Sequence, residues 1–204
     1  MKPLIETCPE LKLNVKNIEN LQTELEQYTA LYRPLFSRRE QKEHYETYLK
    51  GLMQTLPNKS METMMLNLKG DDPNAIRNLQ HFMSEGRWAD PPILRQHWQE
   101  VSEDLGEPDG VLIGDDSGVP KQGQESVGVK RQWCGQLGKR ANCQVGVFLG
   151  YASQHGHTLV DRRLYLPREW VEDNAYAARR QKCGVPDDIT FQTKPALLLS
   201  LIHI

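Results

Sequence analysis

Two adjacent aspartates, Asp115 and Asp116, follow a short apolar run from Val111 to Gly114. The run is bounded by glycines, which is typical of a buried strand, and such a strand would hold a carboxylate at its end in a fixed position. Carboxylate oxygens are the hard ligands that Mg²⁺ prefers, and this ion usually binds one or two carboxylates together with water and substrate phosphate oxygens. Two metal ions held in this way can activate a nucleophile and stabilise a leaving oxygen in phosphoryl transfer. The alternative is an Asx turn or a local backbone cap made by either aspartate, and the spacing fits both interpretations equally well.

Five lysines and arginines follow the aspartates. They are Lys121, Lys130, Arg131, Lys139 and Arg140, and residues 121 to 140 contain one acidic residue, Glu125. A basic cluster attracts phosphate, and the glycines of DDSGVPKQG would allow a phosphate backbone to approach closely. Residues 110–204 carry 12 lysines and arginines against 9 acids, whereas residues 1–109 carry 13 against 18. Charge alone nevertheless favours a solvated, flexible loop over a binding site.

Several other classes of site are excluded by pattern. The segment GVPKQG lacks the GxxxxGK[ST] pattern of a phosphate loop, so no nucleotide cofactor is predicted. His155 and His157 have the spacing of a metal-binding pair, but a hairpin turn explains them more simply. The cysteines show neither CxxC nor zinc-ligand spacing and are predicted to be reduced thiols: Cys8, Cys134, Cys143 and Cys183. With no apolar run of roughly 20 residues and no secretory h-region, the sequence predicts a cytoplasmic protein without membrane contact.

Helical patterns occupy the first half of the chain. Apolar residues recur at three- and four-residue steps from Ile18 to Tyr32, which predicts a first helix. Ser37 and Glu40 have the spacing of a capping box at the start of a second helix. Ser60 predicts the cap of a third, and Asp-Pro pairs at Asp72 and Asp90 predict the starts of two more. Residues 15–106 are thus predicted to form a bundle of four or five short helices, whose tyrosines and tryptophans belong to the core.

The second half changes to strand patterns. The run at 111–114 predicts one strand, and residues 143–151 and 157–166 predict a hairpin across the turn-like SQHG. After Pro167 the sequence predicts one helix that ends at Gly184. The last segment, TKPALLLSLIHI, is apolar enough to be a core element.

Three long motifs resemble the DDE-type transposases of bacterial insertion sequences. They are IGDDSGVPKQGQESVGVKRQWCGQLGKRANCQVGVFLGYAS, DRRLYLPREWVED and CGVPDDITFQTKP, and the resemblance covers roughly residues 30 to 198. It implies an α+β fold in which an N-terminal helical bundle, residues 1–108, precedes the first part of an RNase H-like mixed β-sheet domain, residues 109–199. Residues 200–204 then read as a non-native tail.

The resemblance also implies a chemistry. The family pattern D-x-[ST] fits Asp115 with Ser117, so Asp115 is expected to be the first of three metal-binding acids, with Asp116 as a close alternative. All five lysines and arginines named above are expected to lie near double-stranded DNA. Of these, Lys121, Lys130 and Arg131 are expected to contact its phosphate backbone. Such enzymes use Mg²⁺ to cut the element's ends with water and then join the freed 3′-hydroxyl to target DNA.

The chain departs from the family pattern after TKP. The family's second aspartate and its glutamate are expected beyond this region, and Asp161, Asp173, Asp187 and Asp188 do not match them. The sequence therefore predicts an N-terminal fragment that is inactive alone. One alternative is a catalytically inactive regulator that binds DNA or self-associates. Another is a soluble α+β domain without a nucleic-acid role, in which the aspartates are structural.

Overall fold

The structure, a computed structural model, describes residues 15–202 and the side chains of residues 20–202. The predicted thiol Cys8 lies outside the described residues. The chain divides into two compact units between Gln96 and His97. Within the described residues, no helix is both long enough and apolar enough to cross a membrane.

Helices make up the first unit. They are α1 (Val15–Tyr32), α2 (Arg39–Met53), α3 (Met61–Lys69), α4 (Pro73–Glu85) and the beginning of α5 (Asp90–Asp104). The buried centre of this unit consists of Phe36, Met65, Leu79 and Phe82. Tyr45 and Trp88 pack against it, which confirms the predicted core role of these aromatic side chains.

Two of the predicted caps are confirmed and one is wrong. The Ser60 hydroxyl accepts a hydrogen bond from the Thr63 N–H at 3.1 Å, and the Asp72 carboxylate accepts from the N–H groups of Asn74 and Ala75. The predicted pair of Ser37 and Glu40 does not form a capping box. Because α2 begins at Arg39, the third helical residue is Gln41, whose side-chain oxygen accepts from the Arg38 N–H at 3.2 Å.

The second unit is built on a four-stranded antiparallel sheet. Its strands are β1 (Val111–Pro120), β2 (Lys130–Cys134), β3 (Lys139–Ser153) and β4 (Gly156–Tyr165). The long strand β3 pairs with each of the other three. The helices α6 (Arg168–Glu172), α7 (Ala177–Lys182) and α8 (Lys194–Ile202) follow. The predicted α+β class is confirmed, and every strand pair in the described part of the chain is antiparallel.

One face of the sheet carries the core of this unit. Val147 and Leu149 of β3 pack there with Leu201 of α8, and all three are fully or almost fully buried. Trp98 of α5 joins the same cluster and donates its indole N–H to the Val160 carbonyl at 2.7 Å. Residues 200–202, predicted to be a foreign tail, continue α8, and Leu201 is completely buried.

Three elements differ from the sequence prediction. β1 does not stop at Gly114 but runs to Pro120, because β3 offers a pairing partner at every position from Cys143 to Ala152. Within the predicted basic loop of residues 121–140, residues 130–140 instead form a ribbon of β2 and β3 joined by a tight turn, where Gly138 adopts φ 60°. The single helix predicted after Pro167 is interrupted at Asp173, whose side chain accepts from the Ala175 N–H and caps a new 3-10 turn.

Candidate functional site

The two aspartates lie in the middle of β1 and on opposite faces of the sheet. Successive side chains of a strand alternate between faces, so adjacent residues cannot share one. Asp116 faces α8, because its carboxylate accepts a hydrogen bond from the Lys194 amino group at 2.7 Å. Gly114, two residues earlier, lies against Leu198 of the same helix. Asp115 is therefore on the other face, paired across the ladder with Phe148.

Asp115 is exposed and has one hydrogen bond within the described residues. Its Oδ1 accepts from the Asp116 N–H at 2.8 Å, a local contact of the kind that the structural alternative requires. In the part of the chain that the structure describes, its Oδ2 has no hydrogen-bond partner and its charge has no ion-pair partner. One carboxylate oxygen of Asp115 is thus open to an external ligand.

Asp116 is engaged by Lys194, a residue that the sequence analysis missed. Lys194 is the first residue of α8, where the helix dipole disfavours a cation, and the Asp116 carboxylate compensates for this. The Lys194 amino group also lies 5.5 Å from the centre of the Tyr165 ring. Pro195, which marks a helix start, is the sequence signal that could have placed Lys194 at this terminus.

The predicted basic residues fall into two groups. Lys130 forms an ion pair with Glu169 of α6, and this hydrogen bond lowers the pKa of the Glu169 carboxyl. Lys121, Arg131, Lys139 and Arg140 have no ion-pair partner among the described residues. The one acid of the segment, Glu125, is bonded to Lys182 at 2.5 Å, which lowers the Glu125 pKa. Four of the five predicted basic residues are therefore without an acidic partner in the part of the chain that the structure describes.

Arg131 and Arg140 share the exposed face of the sheet with Asp115. Along β3 the residues from Cys143 to Leu149 alternate between buried and half-buried, and Arg140 has the same parity as the half-buried Phe148. In β2, Arg131 pairs with Asn142, which places it on this same face. Asp115 and Arg140 are separated by eight residues along β3, which corresponds to about 26 Å.

Trp133 was also missed, and it lies on the exposed face of the ribbon opposite Arg140. Its side chain is 60% exposed. Strand alternation alone could have found it, because Cys134 is a typical buried residue and its neighbour must then point outward.

The described residues form no cluster of metal ligands. Among them there is no group of three or more histidines, cysteines, aspartates or glutamates that could hold a metal ion. Asp115 offers one hard oxygen ligand, which fits the one or two carboxylates that Mg²⁺ usually takes alongside phosphate oxygens. His155 instead lies in the turn between β3 and β4 and contacts Glu107 at 3.2 Å, as the hairpin interpretation predicted. Cys134, Cys143 and Cys183 are free thiols, as expected.

Comparison with known proteins identifies the family. No curated protein and no solved structure matches the chain. A family profile described as DDE superfamily endonuclease matches residues 31–203, which covers both the helical unit from the end of α1 and the sheet that carries Asp115. The match confirms the resemblance drawn from the three motifs. The chain belongs to the DDE superfamily of endonucleases.

Proposed function

We propose that this chain supplies the first catalytic acid and part of the DNA-contacting surface of a transposase that cuts element ends and transfers the strand to target DNA. Family membership supports a transposase or endonuclease function. The observation that carries the proposal is the exposed sheet face. It presents the open carboxylate oxygen of Asp115 together with the guanidinium groups of Arg131 and Arg140, which have no ion-pair partner among the described residues.

Asp115 is the proposed metal ligand. A bound Mg²⁺ would supply Lewis-acid stabilisation of charge at the phosphate during phosphoryl transfer. The ladder hydrogen bonds of β1 to β3 fix the backbone of Asp115, so its carboxylate is held in position without a ligand. Arg131 and Arg140 neutralise backbone phosphates of the same DNA, which lets a duplex lie against a face that also carries a negative carboxylate. A catalytic metal site would need further carboxylates beside Asp115, since the described residues contain no group of three or more metal-ligating side chains.

Asp116 is the competing ligand, and its ion pair with Lys194 supports the choice of Asp115 instead. A cation at Asp116 would have to displace the Lys194 amino group and leave that charge uncompensated at the start of α8. Asp116 is therefore a positioning residue that ties α8 to β1, immediately beside Asp115.

The test compares Asp115→Asn with Asp116→Asn, which remove one charge each from adjacent positions. The dissociation constant for a short duplex is measured with increasing Mg²⁺ at constant ionic strength. Without Mg²⁺, Asp115→Asn should bind DNA more tightly than wild type, since a carboxylate that repels phosphate is gone. Addition of Mg²⁺ should raise the DNA affinity of wild type and of Asp116→Asn by the same factor. It should leave the DNA affinity of Asp115→Asn unchanged. A loss confined to Asp116→Asn would reverse the assignment, and absence of DNA binding by wild type would overturn the function itself.

A second candidate function is a DNA-binding or self-associating regulator without catalysis. It is favoured by β1, which pairs only with β3 in the described part of the chain and exposes apolar side chains. The test is nicking of supercoiled plasmid DNA in the presence of Mg²⁺. If wild type nicks the plasmid and Asp115→Asn does not, the regulator function is excluded.

A further inference from the structure

Among the four tryptophans, three form a hydrogen bond through the indole N–H, and Trp133 forms none within the described residues. Trp88, Trp98 and Trp170 each donate the indole N–H to a backbone carbonyl, at 2.9, 2.7 and 2.9 Å. Buried tryptophans usually find such a partner. Among the described residues, the Trp133 indole N–H has no hydrogen-bond partner and the ring has no ring contact, and the residue is 60% exposed. Its packing within the chain therefore does not explain why a tryptophan stands at this position.

The backbone that presents Trp133 is firmly held. The next residue, Cys134, is completely buried, and its thiol contacts the Gly118 carbonyl at 3.3 Å. The preceding residue, Gln132, donates its side-chain amide to the Cys143 carbonyl at 3.0 Å. Both neighbours of Trp133 are thus fixed in the sheet. The indole therefore points outward because the strand backbone on both sides of Trp133 is fixed.

Positive charge surrounds the exposed indole. Arg140 lies directly across the ladder from Trp133, and Arg131 lies two residues earlier on the same face. Between Glu125 and Asp161 the chain contains no acidic residue. It contains four cations there, Lys130, Arg131, Lys139 and Arg140, of which only Lys130 has an ion-pair partner among the described residues, Glu169. Leu137, in the turn of the ribbon, is also 44% exposed. An aromatic ring among unpaired cations is a combination that stacks on nucleic-acid bases while tracking the phosphates.

We propose that the ribbon of residues 130–140 is a DNA-contacting element in which Trp133 stacks on an unpaired base while Arg131 and Arg140 hold the flanking phosphates. This proposal rests on the proposed function. Every base has a π-face, so the stacking needs an accessible base and no particular sequence. Tryptophan and arginine are also common at protein interfaces, but an interface core is depleted of charge. This ribbon instead carries three cations that have no ion-pair partner among the described residues.

The spacing allows one DNA molecule to reach both the ribbon and Asp115. The separation of about 26 Å along β3 equals about eight base pairs at 3.4 Å each. The ribbon would therefore engage DNA whose bases are unpaired several nucleotides from the phosphate at Asp115. Unpaired bases arise at a nicked, bulged or frayed element end.

The test uses Trp133→Ala, Trp133→Phe and the control Leu159→Ala, which truncates another exposed apolar residue of the same sheet. Dissociation constants are measured for a blunt duplex and for the same duplex with an internal run of unpaired bases. Trp133→Ala should weaken binding to the unpaired substrate about ten-fold and leave the blunt duplex and the salt dependence unchanged. Trp133→Phe should retain most of the affinity, and Leu159→Ala should match wild type. Circular dichroism establishes that each variant is folded.

The outcomes separate this proposal from the function on which it rests. Suppose that wild type binds DNA and that folded Trp133→Ala binds each of the two substrates with the wild-type affinity. The stacking proposal then fails, and the proposed function stands. If wild type binds neither substrate, both fail. If Trp133→Ala leaves DNA affinity unchanged and instead abolishes self-association, the ribbon is a protein interface and the proposal is overturned.

Discussion

At the scale of single residues, one position in β1 separates an open carboxylate from an engaged one. Asp115 and Asp116 have the same side chain and adjacent backbones, but the pleat of the strand sends Asp116 to Lys194 and leaves Asp115 on the exposed face. A shift of one residue in the pairing of β1 with β3 would exchange the two environments. Which of the two carboxylates is open to an external ligand is therefore a question of strand register.

Tyr45 provides a test of an unsatisfied polar group. Its ring stacks on Phe36 in the helical unit, but its hydroxyl is buried without a hydrogen-bond partner among the described residues. Burial raises the pKa of Tyr45 well above its usual range. Tyr45→Phe removes a buried hydroxyl that makes no hydrogen bond among the described residues. We therefore expect this substitution to raise the unfolding free energy by about 1 kcal/mol.

The matched control is Tyr151→Phe, measured by the same urea titration. The Tyr151 hydroxyl accepts a hydrogen bond from the Glu107 N–H at 2.9 Å. Its removal leaves a backbone donor without that partner, so we expect a loss of about 1 kcal/mol. If both variants lose stability equally, the Tyr45 hydroxyl has a partner after all.

At the scale of elements, the approach of α2 to α3 depends on a glycine. Gly51 is buried, and a Cβ at this position would lie 2.9 Å from the Met64 sulfur and 3.0 Å from the Met64 Cβ. Alanine would gain about 1 kcal/mol of helix propensity but would overpack a completely buried neighbour at a cost of about 1–3 kcal/mol. We expect Gly51→Ala to destabilise the protein by about 1 kcal/mol in thermal unfolding.

The double variant Gly51→Ala/Met64→Ala separates these contributions. Met64→Ala alone should be strongly destabilising, since it leaves a cavity. With that space available, the added methyl at residue 51 should no longer cost stability and should show its helix propensity. A Gly51→Ala penalty that is the same in both backgrounds would contradict the predicted contact.

The exposed edge of β1 is expected to drive self-association. Val111 and Ile113 are 56% and 54% exposed on a strand that pairs on one side only within the described residues. Open apolar edges add strands from other molecules, and a lysine on such an edge opposes this. We therefore expect wild type to associate in a concentration-dependent way in sedimentation velocity, and Val111→Lys to reduce this association. Leu21→Lys, at an exposed position of α1, is the control and should have no effect.

At the scale of the whole molecule, the unpaired cations should set the salt dependence of DNA binding. Each phosphate contact contributes a slope of about -0.9 in log K against log salt. Replacing Lys121, Arg131 and Arg140 with alanine should therefore flatten the slope by about three units, equally for different duplex sequences, because phosphate contacts do not read bases. Lys130→Ala should change it less, because Lys130 is already paired with Glu169.

The control variant removes the same net charge from the helical unit. Lys50, Lys69 and Arg77 are exposed cations of α2, α3 and α4. Their replacement by alanine should leave the slope nearly unchanged, since they lie outside the proposed surface. If the salt slope flattens equally in both triple variants, only net charge matters for DNA binding. The basic residues of the ribbon would then be solvated surface residues without a specific DNA contact.

The sequence by itself determined the features that depend on neighbouring residues. The caps at Ser60 and Asp72 act within three residues, so their local pattern was sufficient. The hairpin of β3 and β4 and the helical first half follow from periodicity, and the long motifs identified the family. The capping box failed at Gln41 because the spacing of Ser37 and Glu40 does not fix where a helix begins.

Only the tertiary structure decided the extent of β1 and the direction of its side chains. Polar residues such as Asp115, Asp116 and Ser117 have low or ordinary strand preference, and they become strand because β3, about 30 residues away, supplies their hydrogen bonds. Likewise, the engagement of Asp116 depends on Lys194, which is 78 residues away in the chain. Strand pairing and ion pairing at such separations are set by packing and register, which a local pattern does not encode.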